Sequence, residues 1–433
     1  MPADSRTLVA ALDDALVDDT CKGWPSTRAP VRQQDVAACG LNVLRQDLHL
    51  PVAVLKQQVI DHNARWMRDF LAASGARLAP HGKTTMSPQL FQRQLDDGAW
   101  AITVATAWQL QVCRRFGFPR VFLANQLVDR QALAVAMDEL ARDAGFELYS
   151  LVDSLAGVHL VADAARRAGL ARPVRLLVEV GFDGGRTGCR TAAQALEVAR
   201  AVATEPALAL CGVEGFEGLI HSDDAVEDAR RVRAFLASLV EVARACAAAR
   251  LFSPGPVLLS AGGSAYYDLV TEALGKSGVE VAQVVLRCGC YLTHDSAVYA
   301  GAHAQVRQRS AAARAVPGTL EPALEVWCAV QSRPEPTRAI LTVGKRDLSS
   351  DLGLPIAVAW SRGGAPPRAL LGHDVVELND QHLHLRLPTD SPLAVGDLVA
   401  LGISHPCTTF DKWRVLFTVD ERYDVTGVVR TFF

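Results

Sequence analysis

From Arg77 onward the chain alternates short runs of β-branched and aliphatic residues with longer stretches whose apolar positions recur every three or four residues. That alternation is the pattern of βα units around a parallel sheet, because strands buried on both faces read as continuous apolar runs and outer helices as one-sided stripes. Eight runs predict strands: Arg77–Lys83, Ala101–Thr106, Val121–Leu127, Phe146–Val152, Val174–Gly181, Gly212–Leu219, Val257–Gly263 and Val281–Gly289. Between them, segments such as Leu90–Leu95 and Val158–Leu170 have the spacing of amphipathic helices. Eight alternations predict an α/β fold built as a closed (β/α)8 TIM-type barrel. An open doubly wound sheet is the competing architecture, and the lack of a GxGxxG pattern in the first turn favours the barrel.

The flanks read differently. Leu50–Gly75 (LPVAVLKQQVIDHNARWMRDFLAASG) predicts a strand and an amphipathic helix ending at Gly75, leading into the first barrel strand. Residues 1–49, with Pro25, Pro30 and mixed polarity, form an N-terminal extension that covers another domain or subunit, a choice their pattern leaves open. After Pro317 the helical spacing stops. From Ala323, pieces such as LEVWCAVQ, HLHLRL and VLFTV alternate with turn-rich stretches such as SRGGAPP, which predicts a C-terminal all-β domain. The division is an extension over 1–49, a barrel over 50–316 and a β domain over 317–433.

Composition narrows the function. In 433 residues, half apolar and 21% charged, there is ample material for a core, so disorder of the whole chain is excluded. Lys and Arg number 44 against 47 for Asp and Glu, a net charge of −3 that provides no footprint for nucleic acid or an anionic membrane, so the expected partner is a small molecule. No uncharged apolar stretch reaches the ~18 residues of a membrane span, and the acidic start MPADSRTLVAALDDALVDD lacks the features of a signal peptide. A soluble, cytoplasmic protein is expected. Ten irregularly spaced cysteines suit free thiols in a reducing compartment.

Four segments could carry chemistry. The first predicted strand ends in Pro80, His81, Gly82, Lys83 and Thr84 at the C-terminal face of the barrel, where barrel active sites lie. There Lys83 can form a Schiff base beside His81, a potential acid or base; otherwise it is one more surface lysine. After the seventh strand, the turn Gly262, Gly263, Ser264 feeds a helix and can present N–H groups to an anion such as phosphate, with Gly289 and Tyr291 after the eighth strand beside it. The fifth strand exits through a glycine-rich loop that delivers Arg186, a donor to a ring or a rim salt bridge. Late in the β domain, His405 and Cys407 flank Pro406; in an extended chain both project from one side and could hold one cation, a pair suited to zinc, or could simply be packed. Cys288 and Cys290 read as core or pocket lining.

Taken together, PHGKT at 80–84, the Arg186 loop, SAGGS at 260–264 and HPC at 405–407 resemble the pyridoxal-phosphate enzymes of the alanine-racemase-like class, fold type III, in the D-serine dehydratase and D-threonine aldolase group. The resemblance implies that Lys83 carries pyridoxal 5'-phosphate, that Arg186 lies near the pyridine nitrogen, and that Gly262, Gly263, Ser264, Gly289 and Tyr291 hold the phosphate. It implies a divalent metal on His405 and Cys407, and a homodimer in which the β domain of one subunit meets the barrel of another. Phe216 and Glu217 replace a Tyr-His pairing common in that family. The implied activity is a lyase eliminating water and ammonia from a D-3-hydroxy amino acid, with Lys83 and His81 as catalytic groups. An aldolase cleaving Cα–Cβ and a non-enzymatic cofactor carrier are the alternatives.

Overall fold

The computed structural model describes residues 4–433. Its barrel strands are Arg77–Leu78, Ile102–Val104, Arg120–Gln126, Glu147–Val152, Val174–Val180, Leu208–Gly215, Val257–Ala261 and Ala282–Leu286. They run parallel in sequence order, and the eighth returns to the first with Val285 opposite Arg77. A parallel bridge from His81 to Thr103 joins the first strand's exit to the second, so the sheet curls shut as a TIM-like barrel. Thr106, Asp129, Ser154, Thr191 and Asp224 each accept a backbone N–H in the first turn of the helix they precede, which ends the strand-to-helix loops sharply. Phe122, Leu151, Leu177, Leu258 and Val285, from five different strands, form a buried cluster apart from the main core, the packing expected of a filled barrel interior.

Two strands depart from the apolar pattern. The sixth begins at Leu208, just past Pro206, instead of Gly212, and Phe216–Leu219 leave the sheet as a loop at the barrel mouth. The first strand stops early because Gly82–Thr84 tighten into a single 3-10 turn.

The C-terminal domain is a mostly antiparallel sheet, and one of its strands comes from before the barrel. Val52–Lys56 pairs antiparallel with Leu324–Glu335 and parallel with Val415–Val419. The chain therefore passes through the β domain, winds through the barrel and returns, while the helix Ser5–Ala10 ahead of it packs on the barrel helix Pro88–Asp96, with Arg6 paired to Asp96 at 2.7 Å. Gly75, in the left-handed region at φ 70°, stops the connecting helix Gln57–Ser74. The N-terminal extension also lies on this domain: Val17, Trp24, Val36 and Leu44 share a buried cluster with Val54, Trp327 and Phe417. It covers its own chain. Among the described residues, no helix is long and apolar enough to cross a membrane.

Close strand packing makes one glycine obligatory. The sixth strand carries a register shift, with Leu176 opposite Leu210 and Leu177 opposite Gly212. A Cβ on Gly212 would be driven into the backbone carbonyl of Leu258, whereas one on Gly275 would meet nothing. Gly212→Ala is expected to destabilise the protein by about 1–3 kcal/mol. Gly275→Ala should stay within ~0.5 kcal/mol in urea unfolding.

Candidate active site

At the C-terminal mouth of the barrel, loops after several strands meet the Ser404–Cys407 turn of the β domain around a pocket of about 840 Å³, counting the solvent at its opening. His81, Lys83, Arg186, Gly262, Gly263, Ser264, Gly289, His405 and Cys407 all line it. Tyr291 does not. It is buried in the main core, where its hydroxyl faces Gln94, and the phenol that reaches the pocket belongs to Tyr299.

Lys83 is exposed to the pocket from its 3-10 turn and makes no ion pair or side-chain hydrogen bond among the described residues. Its amine is available to a carbonyl. Beside it, His81 Nδ1 is buried without a hydrogen-bond partner. Burial, then the positive charges of Lys83, Arg287 and Arg186, hold the His81 imidazole well below its ordinary pKa, so the ring is neutral near pH 7.

The Arg186 loop is braced from within. Arg190 donates from Nη1 to the Thr187 and Gly188 carbonyls, both at 2.7 Å, and from Nη2 to the Gly185 carbonyl at 3.0 Å. Thr187 Oγ1 donates to Glu179 at 2.6 Å. The Arg186 guanidinium lies 5.2 Å from the centre of the Phe216 ring, within cation–π range. A second arginine, Arg287, lines the pocket from the end of the eighth strand. It is buried, paired with Glu214, and donates to Ser260 Oγ at 2.5 Å and the Gly215 carbonyl at 3.1 Å. Burial pushes the Glu214 carboxyl up to about 8 against the opposing pull of Arg287.

The glycine turn differs in detail from a free anion cradle. The fully buried Glu217 carboxylate accepts from the N–H of Gly262 at 3.0 Å and of Gly263 at 2.8 Å. Those two donors are already satisfied. Among the described residues, the N–H groups of Ser264 and Gly289 have no acceptor and remain for an anionic ligand. Gly289 is also required by packing, since a Cβ there would come within 2.5 Å of Thr84 Oγ1 and 2.6 Å of the His81 carbonyl.

On the β-domain side, His405 and Cys407 are not in the extended conformation their spacing suggests. Pro406 is helical and Cys407 opens a one-turn helix, yet both side chains reach the pocket. His405 Nδ1 lies 2.7 Å from Asp351 Oδ2, which leaves Nε2 for Cys407 or a ligand. Burial opposes its charge, but Cys407 and Asp351 outweigh burial and raise the His405 imidazolium to about 9. The Cys290 contact and the His405 charge hold the Cys407 thiol well below its ordinary value despite burial. Cys407 Sγ is also 3.4 Å from Thr84 Oγ1, so the motif meets the barrel of its own chain. Asp351, Glu217, Arg287 and Tyr299 were not among the sequence-based candidates. Nothing local shows that Glu217 and Arg287 are buried at the mouth or that Asp351 meets His405 across 54 residues.

Comparison with known proteins gives this site a context. Residues 55–273 match the family model of the alanine racemase N-terminal domain, and residues 323–419 match that of a serine dehydratase domain. A 3-hydroxy-D-aspartate aldolase from Paracoccus denitrificans (strain Pd 1222) is 26% identical over 378 residues, 85% of this chain and 88% of the relative. A D-threo-3-hydroxyaspartate dehydratase from Delftia sp. (strain HT23) is 31% identical over 144 residues, 33% of this chain and 36% of the relative. The crystal structure of D-threonine aldolase from Filomicrobium marinum shares the fold with a TM-score of 0.75 at 22% identity, covering 93% of this chain and 98% of that one. The relatives thus include lyases of two kinds, aldolase and dehydratase. With the barrel and the β domain each matched, the chain belongs to the alanine-racemase-like, fold type III pyridoxal-phosphate family and carries a D-serine-dehydratase-like second domain.

Proposed function

We propose that the protein is a pyridoxal-phosphate- and divalent-metal-dependent lyase that eliminates water and ammonia from a D-3-hydroxy amino acid of the D-serine, D-threonine or 3-hydroxyaspartate type, leaving a 2-keto acid. The observation that carries this reading is one pocket holding an unpaired lysine, Lys83, opposite an imidazole–thiol pair, His405 and Cys407. The residues present fit both groups. Lys83 offers a free amine, Ser264 and Gly289 offer unpaired N–H donors for a phosphate, and Arg186 offers a charged donor for a ring nitrogen. Cys407, inclined to the thiolate, and His405, with Nδ1 fixed by Asp351, are the donor set of a borderline-soft ion such as zinc.

When bound, the cofactor supplies an electron-withdrawing ring that acidifies the substrate α-proton, and the metal supplies Lewis acidity at the β-oxygen. The protein supplies position and protons. Lys83 Nζ would hold the cofactor carbonyl, and the same amine is the base available for the substrate α-proton. The Arg186 guanidinium, a donor with no acceptor capacity, would donate to the pyridine nitrogen and leave that atom unprotonated. The neutral His81 ring, beside Lys83, adds no charge among Lys83, Arg186 and Arg287 at rest, and those three cations make any proton it accepts easy to pass on. Glu217 keeps the 262–264 turn in shape, and Phe216 shields Arg186.

A second reading, Cα–Cβ cleavage to glycine and an aldehyde, is favoured by the 3-hydroxy-D-aspartate aldolase relative that matches 85% of the chain. The thiol at 407 supports elimination, because some family aldolases place a carboxylate there. We also propose a homodimer. Trp108, Val128 and Leu155, exposed at 58%, 58% and 38%, follow the second, third and fourth barrel strands on the mouth side and form an apolar rim suited to a second subunit. A monomer by light scattering would refute that assignment.

Incubation of the purified protein with D-serine, D-threonine and D-threo-3-hydroxyaspartate should yield 2-keto acid and ammonia. Glycine and aldehyde would establish the aldolase reading, and no turnover would favour a cofactor carrier. Lys83→Ala should lower kcat/KM by at least ~10²–10⁴-fold and abolish the visible absorbance of the bound cofactor. Chelation should stop turnover while that absorbance persists; undiminished turnover in rigorously metal-free protein would refute the metal requirement. Asp351→Asn should weaken zinc binding by about 10–100-fold, measured by competition with a chromogenic chelator.

A further inference from the structure

Two protein donors leave a catalytic zinc site short, since such sites characteristically take three protein ligands and keep one position open. A third soft donor lies next to the pair. Cys290 Sγ is 4.0 Å from Cys407 Sγ, although the residues are 117 apart in sequence. Cys290 is 3% exposed and lines the same pocket wall, and its backbone N–H is fixed on Ser264 Oγ at 3.3 Å. The two thiols already share a hydrogen-bond contact with each other, and the same spacing suits a shared ion. Two thiolates bound to one ion at ~2.3 Å and a tetrahedral angle stand about 3.8 Å apart. Ordinary packing carries no such requirement.

We propose that Cys290 Sγ is a third protein ligand of the divalent metal, completing with His405 Nε2 and Cys407 Sγ a Cys2His site with one open position. This rests on the metal reading of the preceding section. Among the described residues, no three His, Cys, Asp or Glu donors already surround one point, so binding the ion draws them together. The sulfur pair needs to close by only a few tenths of an ångström. Both sulfurs bind as thiolates, so Cys290 gives up its proton to solvent when the ion enters beside Cys407. Two thiolates neutralise a divalent ion, and a single open position in four-coordination admits one substrate oxygen at a time. Chelation of the ion by substrate hydroxyl and carboxylate together then requires a fifth bond.

The test is cobalt substitution. Metal-free protein, kept reduced and containing its pyridoxal phosphate, is titrated with Co²⁺, and the thiolate-to-cobalt charge-transfer band is recorded for the wild type, Cys290→Ser, Cys290→Ala and Cys407→Ser. Circular dichroism checks the folding of each. With two thiolate ligands, the band in both Cys290 variants and in Cys407→Ser should fall to about half the wild-type intensity, and zinc affinity in the Cys290 variants should fall at least tenfold. An unchanged band in the Cys290 variants, with the band lost in Cys407→Ser, would overturn the proposal and leave a one-thiolate metal site standing. If no wild-type band forms and no zinc binds, the metal reading itself fails and the proposal falls with it. Should the serine variant misfold, the alanine variant decides, and protection of Cys290 from alkylation by zinc in the wild type gives the same answer without substitution.

Discussion

The site depends on one strand being in the right sheet. Val52–Lys56 lies between Leu324–Glu335 and Val415–Val419, so the strand that leads into the barrel belongs to the domain that follows it. Every connection between the two domains inherits that constraint. The helix after this strand delivers the chain to the first barrel strand, and the Ser404–Cys407 turn of the same β domain returns to the barrel mouth. Cys407 consequently meets Thr84, one residue from Lys83. The extension caps the arrangement by burying Trp24 against Trp327 and Phe417.

Within the pocket, charge is arranged more than it is accumulated. Arg287 is committed to Glu214, and the N–H groups of Gly262 and Gly263 are committed to Glu217. What stays uncommitted is a short set: the Lys83 amine, the Arg186 guanidinium, two N–H groups, and the sulfur and imidazole of the β domain. In a low-dielectric cavity, uncommitted polar groups are costly unless a ligand satisfies them. Their convergence marks this cavity as a binding site more sharply than its volume does.

The elements differ in how legible they were. Barrel strands were easy to read because both faces are buried and helices separate them. The sixth was read four residues late although Leu208–Cys211 is the more apolar stretch, because Pro206 leaves its start unmarked and only pairing with Val174 fixes it. The extension has no period, so nothing local says that Val17, Trp24 and Val36 share one cluster. Tyr291 and Tyr299 show the same limit. Both follow the eighth strand, but Tyr291 turns toward Gln94 in the core while Tyr299 turns into the mouth.

What the sequence by itself determined is the alternation that makes a barrel, the change to a β domain, and the short segments rich in reactive groups: PHGKT, the Arg186 loop, SAGGS and HPC. These are local properties, written in periodicity and in glycine, proline and side-chain type. Tertiary structure alone decided which donors are free and which are spent. It bound Glu217 to the glycine turn, fixed His405 on Asp351, and brought Cys290 to within 4.0 Å of Cys407. The physical reason is that hydrogen bonding and burial are pairwise and short-ranged, while the partners lie tens to hundreds of residues apart along the chain.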